Sequence, residues 1–129
     1  MQYLFLIYLA EQGAETARDD EAMASELAAY GAFTVETRRR NQFIAGEALE
    51  PTATATSVRV RDGNVAVTDG PFAETKEALG GFYLLECADL DEAIEMAAKI
   101  PAAKRGTIEV RPIWQLPTEY AMAGGSDAS

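Results

Sequence analysis

The chain has 129 residues, 48% of them hydrophobic and 25% charged, which suits one domain with a buried core and excludes overall disorder. Acidic residues outnumber basic ones, 21 to 11, and the formal charge of -10 weighs against nucleic acid or an anionic membrane as partner. Histidine is absent, so no Ser-His or Cys-His catalytic pair and no histidine-bound metal can form.

Tyr3 to Leu9 is an apolar run that predicts a first strand buried on both faces. It is too short to cross a membrane and lacks the basic flank of a secretory signal, so a cytoplasmic location is expected. Glu11 to Arg18 reads as a loop. Asp19 or Asp20 then offers an N-cap for a helix from about Asp20 to Arg39. Ala24, Leu27, Ala28, Gly31 and Val35 share one helical face and are the expected core stripe, with Met23, Tyr30 and Thr34 beside them. Arg38, Arg39 and Arg40 suit the helix C-terminus, and Asn41 is the expected left-handed stop.

Phe43 to Leu49 predicts a weaker second strand ended by Pro51, and Thr52 to Ser57 a connector or an edge segment. Val58 to Arg61 and Asn64 to Val67 flank Asp62-Gly63, a hairpin signal of high specificity. That turn pairs Val58 with Val67 and Val60 with Val65, so all four valines fall on one side and Arg59 and Arg61 on the other. Thr68 to Gly81 reads as polar loop. Phe82 to Ala88 predicts a strand that holds the single cysteine, Cys87, as a small core residue. Asp89 with Glu92 gives capping-box spacing for a second helix, whose expected apolar face is Leu90, Ala93, Ile94 and Ala97 and whose Glu95 and Lys99 form an i,i+4 pair. Thr107 to Trp114 is the last expected strand, with Pro112 marking an edge or a bulge.

The order is two helices among about five strands, an α+β arrangement that a ferredoxin-like split βαβ fold satisfies. Two helices cover only one face of such a sheet. The other face is expected to pack sheet to sheet against a second copy, giving a homodimer. Residues 1–116 form the expected domain and 117–129 a flexible tail.

The segment with chemical promise runs from Val67 to Gly81. Continuing the hairpin parity puts Asp69 on the valine side, where burial raises a carboxyl pKa and a cation or backbone N–H groups lower it. Gly70-Pro71 bends the chain, and Lys76 is the nearest candidate cation, with Glu74 and Glu77 close by. An ordinary Asp-Gly-Pro turn explains the same residues without any ligand. Glu47, in an apolar run, is either exposed or functional. Tyr8 and Tyr83 are strand aromatics whose hydroxyls need one partner each. Arg111 could bind an acid, and Trp114 reads as core or dimer packing. No Gly-rich phosphate loop, CxxC pair or metal-spaced carboxylate cluster is present, and no cofactor is expected.

The run VTDGPFAETKEALGGFYLLECADLDEAIEMA resembles the signature of the DGPF family of YCII-related proteins. So do YGAF at Tyr30 to Phe33, AGEAL at Ala45 to Leu49, ATATSVRVRDG at Ala53 to Gly63 and IEVRPI at Ile108 to Ile113. The resemblance spans roughly residues 1–116 and implies the dimeric α/β-barrel fold. Relatives on similar folds include dechlorinating and lactone-isomerising enzymes, and many members of the DGPF branch are encoded beside extracytoplasmic-function sigma factors. The proposed His-Asp pair of the YCII-like branch loses its imidazole here, so only Asp69 carries over as a catalytic candidate. Tyr8, Glu47, Gly70, Pro71, Phe72 and Lys76 are the expected substrate-binding residues around it. Three readings follow. One is an enzyme moving a proton, of lyase or isomerase type, on a small polar organic substrate. The second is a ligand-binding or accessory protein linked to sigma-factor regulation, and the third a purely structural dimer.

Overall fold

A computed structural model describes residues 1–11, 20–73 and 75–121. The expected loop from 12 to 18, the Asp19 cap, Glu74 and the tail from 122 onward lie outside the described residues. Six strands and two α-helices follow one another as β1 (Gln2–Leu9), α1 (Asp20–Arg39), β2 (Phe43–Ala48), β3 (Thr56–Arg61), β4 (Asn64–Asp69), β5 (Ala78–Glu86), α2 (Leu90–Lys99) and β6 (Thr107–Pro112). Four strands form one antiparallel sheet in the order β2-β5-β1-β6, while β3 and β4 pair only with each other. With the hairpin set aside, this is the ferredoxin-like α+β order, and β3–β4 is an insertion between its second and third strands.

Register decides what each face of the sheet carries. Tyr3 pairs with Leu85, Phe5 with Tyr83 and Ile7 with Gly81, and the side chains of Tyr3, Phe5, Ile7, Tyr83 and Leu85 turn toward the helices. There they join Phe33 of α1, Ala93, Met96 and Ala97 of α2, and Ile100 and Ala102 beyond it in one buried core. Leu4, Leu6, Leu84 and Phe82 alternate onto the opposite face, where no helix covers them. The first strand is therefore apolar on both faces for two different reasons, one being the core and the other an open sheet.

Local signals set most boundaries. Asp89 accepts a hydrogen bond from Glu92 N at 2.9 Å, and Glu92 Oε1 accepts one from Ala88 N at 2.8 Å, which closes the start of α2. Asn41 takes a φ of 58° and ends α1 in the left-handed region, with Gln42 N bonded to Thr37 O at 2.8 Å. Asp62 and Gly63, with φ of 51° and 77°, form the tight turn between β3 and β4, and the expected valine pairs are present.

Four expectations fail, each on a tertiary matter. Strand β5 starts at Ala78 rather than Phe82 and takes in both Gly80 and Gly81, with a bulge where Ile7 gives way to Tyr8. On α1 the expected stripe of Ala24, Leu27, Ala28, Gly31 and Val35 is exposed, whereas Phe33 and Thr37 are buried and Glu26, Tyr30 and Thr34 are half-buried. The aromatic rings fix which side faces the sheet, and five small or aliphatic residues do not outweigh them. On α2, Leu90 and Ile94 are exposed, and Met96, with Ile100 just past the helix, takes their place in the core. Glu95 lies 4.0 Å from Arg40, just past α1, and no ion pair with Lys99 is among those formed by the described residues.

Cys87 is buried as expected. Its burial, followed by the nearby Glu92 and Glu86 carboxylates, pushes the thiol up to about 11, so it stays neutral and unreactive near neutral pH. Among the described residues no helix is long and apolar enough to cross a membrane, and no cluster of acidic and cysteine side chains could hold a metal ion.

Candidate functional site

The hairpin brings Asp69 to the last position of β4, opposite Thr56. Parity carries it to the valine side as expected, but no layer of this chain lies beneath that side. Val58, Val60, Val65 and Val67 are each more than half exposed, and Asp69 is exposed with them. Its carboxylate has no hydrogen bond or ion pair among the described residues. The expected inward acid is thus not found within one chain, because strand alternation sorts side chains into two faces without supplying anything to cover either.

The turn after Asp69 is held by backbone. Gly70 has a φ of 91°, donates its N–H to Ala55 O at 2.6 Å and accepts from Ser57 Oγ at 2.8 Å. The two bonds tie the base of the hairpin, and the positive φ explains a glycine there. Pro71 and Lys76 line a hollow of about 410 Å³ with Glu11 and Thr52. Glu11 accepts hydrogen bonds from Thr52 N, at 2.7 Å, and from Thr52 Oγ1, and these hold its carboxyl below the usual carboxylate range. Phe72 is 77% exposed. Tyr8 pairs with Leu79 and Thr107, and Glu47 with Phe82, so register puts both on the open face of the sheet. The seven expected site residues therefore do not converge on one point.

A larger cleft lies elsewhere, between α1 and the edge of the sheet formed by β2 and β5. Its volume is about 550 Å³, within the range of small-molecule sites. Glu47 borders it, while the other six expected residues do not. Its sheet wall includes Ile7, Phe43, Gly46 and Tyr83, and its helix wall includes Leu27 and Tyr30. A Cβ at Gly46 would stand 2.8 Å from Tyr83 Cδ1, so glycine leaves room for that ring to lie across β2. The Tyr83 ring meets Phe33 edge to face at 5.0 Å between centroids, and its hydroxyl lies 3.2 Å from Thr34 Oγ1. Thr34 Oγ1 also donates to Tyr30 O at 3.1 Å.

The charged groups of the cleft are partly satisfied already. Glu26, largely buried, is ion-paired with Arg105. Burial raises the Tyr30 phenol above its ordinary value, with Glu26 and Tyr83 adding to the effect and Arg105 and a backbone hydrogen bond at Ala102 opposing it. Tyr30 is thus a neutral hydroxyl at physiological pH. These α1 residues escaped the sequence reading, although a signal existed. Glu26, Tyr30, Thr34 and Arg38 recur every four residues, a polar stripe inside a helix that is otherwise rich in alanine.

The model of the YCII-related domain matches residues 1–117. The chain belongs to the YCII-related family. This YCII-related chain is also 39% identical over 117 residues to the uncharacterised protein R00369 of Rhizobium meliloti (strain 1021), a match covering 88% of this chain and 92% of that one. The match takes in β1, α1, β2 and β5, and so every strand and helix that lines the cleft.

Proposed function

We propose that this YCII-related protein binds a small organic molecule in the cleft under α1. The supporting observation is a mostly apolar hollow of about 550 Å³ with a small set of fixed polar groups in it, the Thr34–Tyr83 hydroxyl pair foremost. Binding is favoured over proton transfer because Glu26 is held by Arg105 and Asp69 lies outside the cleft. Nile red, a neutral dye that brightens in apolar surroundings, is expected to bind saturably. Ala48, an exposed β2 residue that lines the cleft, offers a way to fill it. Ala48→Phe is expected to weaken dye binding at least tenfold, whereas Asp69→Asn leaves it unchanged. Equal binding by the Ala48→Phe variant, or loss of binding in Asp69→Asn, would place the site elsewhere.

The same protein is proposed to work as a homodimer joined through the open face of its sheet. The supporting observations are Leu4, Leu6, Phe82 and Leu84 on that face, which no helix covers, together with the exposed hairpin valines and Trp114 at 80% exposure, apolar groups that a second copy would cover. Light scattering is expected to give about twice the 13.9 kDa chain mass, and a value near 13.9 kDa contradicts this part.

A further inference from the structure

The cleft carries a polar order along its length. Glu26, Tyr30, Thr34 and Arg38 form one stripe of α1 at four-residue intervals, and all four line the cleft. Each interval is about 6 Å of helix axis, so the Cα atoms of Glu26 and Arg38 stand about 18 Å apart along α1. The two ends differ in one respect. Glu26 has its counter-ion in Arg105. Arg38 has no carboxylate partner among the described residues. Its Cζ lies 4.2 Å from the centroid of the Phe43 ring, stacked above it. Its neighbours Arg39 and Arg40 both reach Glu36, at 3.4 Å and 2.9 Å. Stacking orients a guanidinium while leaving the N–H groups on its edge available, the geometry that a planar two-oxygen acceptor fits.

Taking the cleft as a ligand site, we infer that its ligand is an amphiphilic carboxylate. The carboxylate accepts two N–H hydrogen bonds from Arg38. The apolar body then runs along α1 against Phe43 and Leu27, past the Thr34–Tyr83 hydroxyls, which meet a polar substituent about one helical turn from the acid. The chain's formal charge of -10 repels anions at long range. Selection for an acid therefore rests on this local cation, and added salt weakens the pairing at an exposed arginine.

Displacement of Nile red by hydrocinnamate and by its neutral amide, hydrocinnamamide, tests the inference on the full chain. The acid is expected to displace the dye at roughly tenfold lower concentration than the amide, the scale of one charge-assisted contact that is partly exposed. In Arg38→Gln that gap closes, while Arg39→Gln keeps it. Acid and amide acting alike on the unaltered chain would overturn the inference, as would a gap that survives Arg38→Gln. So would failure of both to displace a dye that does bind, and in each of these cases the cleft reading stands. If the dye itself does not bind, the cleft reading falls and the inference falls with it.

Discussion

Adding one methyl group at Gly106 is expected to remove about 3 kcal/mol of folding stability. A Cβ there would stand 2.0 Å from the Tyr8 carbonyl oxygen and 2.9 Å from Leu9 Cδ2. The nearer atom belongs to the backbone of β1, which cannot rotate aside as a side chain can. Gly106 N also donates to Ala102 O at 2.8 Å, and the next residue, Thr107, pairs with Tyr8. Relief therefore means lifting β6 away from β1 at the point where the edge strand begins, a cost in the range of severe overpacking. Gly31 is the control for the chemistry of the change. Nothing lies within 4 Å of a Cβ there, and the residue sits in the middle of α1, so Gly31→Ala is expected to stabilise by about 0.5–1 kcal/mol. Urea unfolding of the two variants should give shifts of opposite sign. A Gly106→Ala midpoint equal to that of the unaltered chain contradicts the packing described.

Tyr83→Ala is expected to cost about 3–5 kcal/mol and to abolish dye binding. Tyr83 serves core and cleft together. Its ring is in contact with Phe33 at 5.0 Å and stands 6.4 Å from Phe43, both edge to face, and it fills the space left by Gly46. Truncation opens a void that joins the cleft, so water enters between α1 and the sheet. Tyr83→Phe keeps the ring and deletes only the oxygen 3.2 Å from Thr34 Oγ1, an effect of about 0.5–1.5 kcal/mol. Denaturant titrations read the two costs. A Tyr83→Ala loss below about 1 kcal/mol would mean that the ring does not hold α1 to the sheet.

What the chain order makes legible is local. The bounds of α1, the Asn41 stop, the Asp62–Gly63 turn with its valine register and the Asp89 cap each depend on a few neighbouring residues whose backbone preferences agree. The ferredoxin-like order follows from counting elements. What stays hidden is what each face meets. Ala24, Leu27, Ala28, Gly31 and Val35 form a sound helical stripe, but periodicity orients a stripe relative to its own helix and not to the sheet. Tyr30 and Phe33 decide that orientation by filling the core edge, and this turns Glu26, Thr34 and Arg38 into the cleft. Gly80-Gly81 reads as a breaker, although inside a sheet it continues β5 past the bulge. Asp69 shows the same limit most sharply. Its parity along β4 was legible, yet the burial inferred from that parity required a layer that one chain does not provide.

The central claim is that small molecules enter under α1 and not at the turn after β4. Backbone amide shifts followed by NMR during titration with hydrocinnamamide, the neutral probe, test this most directly. The expected result is movement at Thr34, Gly46, Gly80 and Tyr83, with Asp69, Gly70 and Phe72 unmoved. Shifts concentrated at Asp69 to Phe72, with those four cleft residues silent, would contradict it.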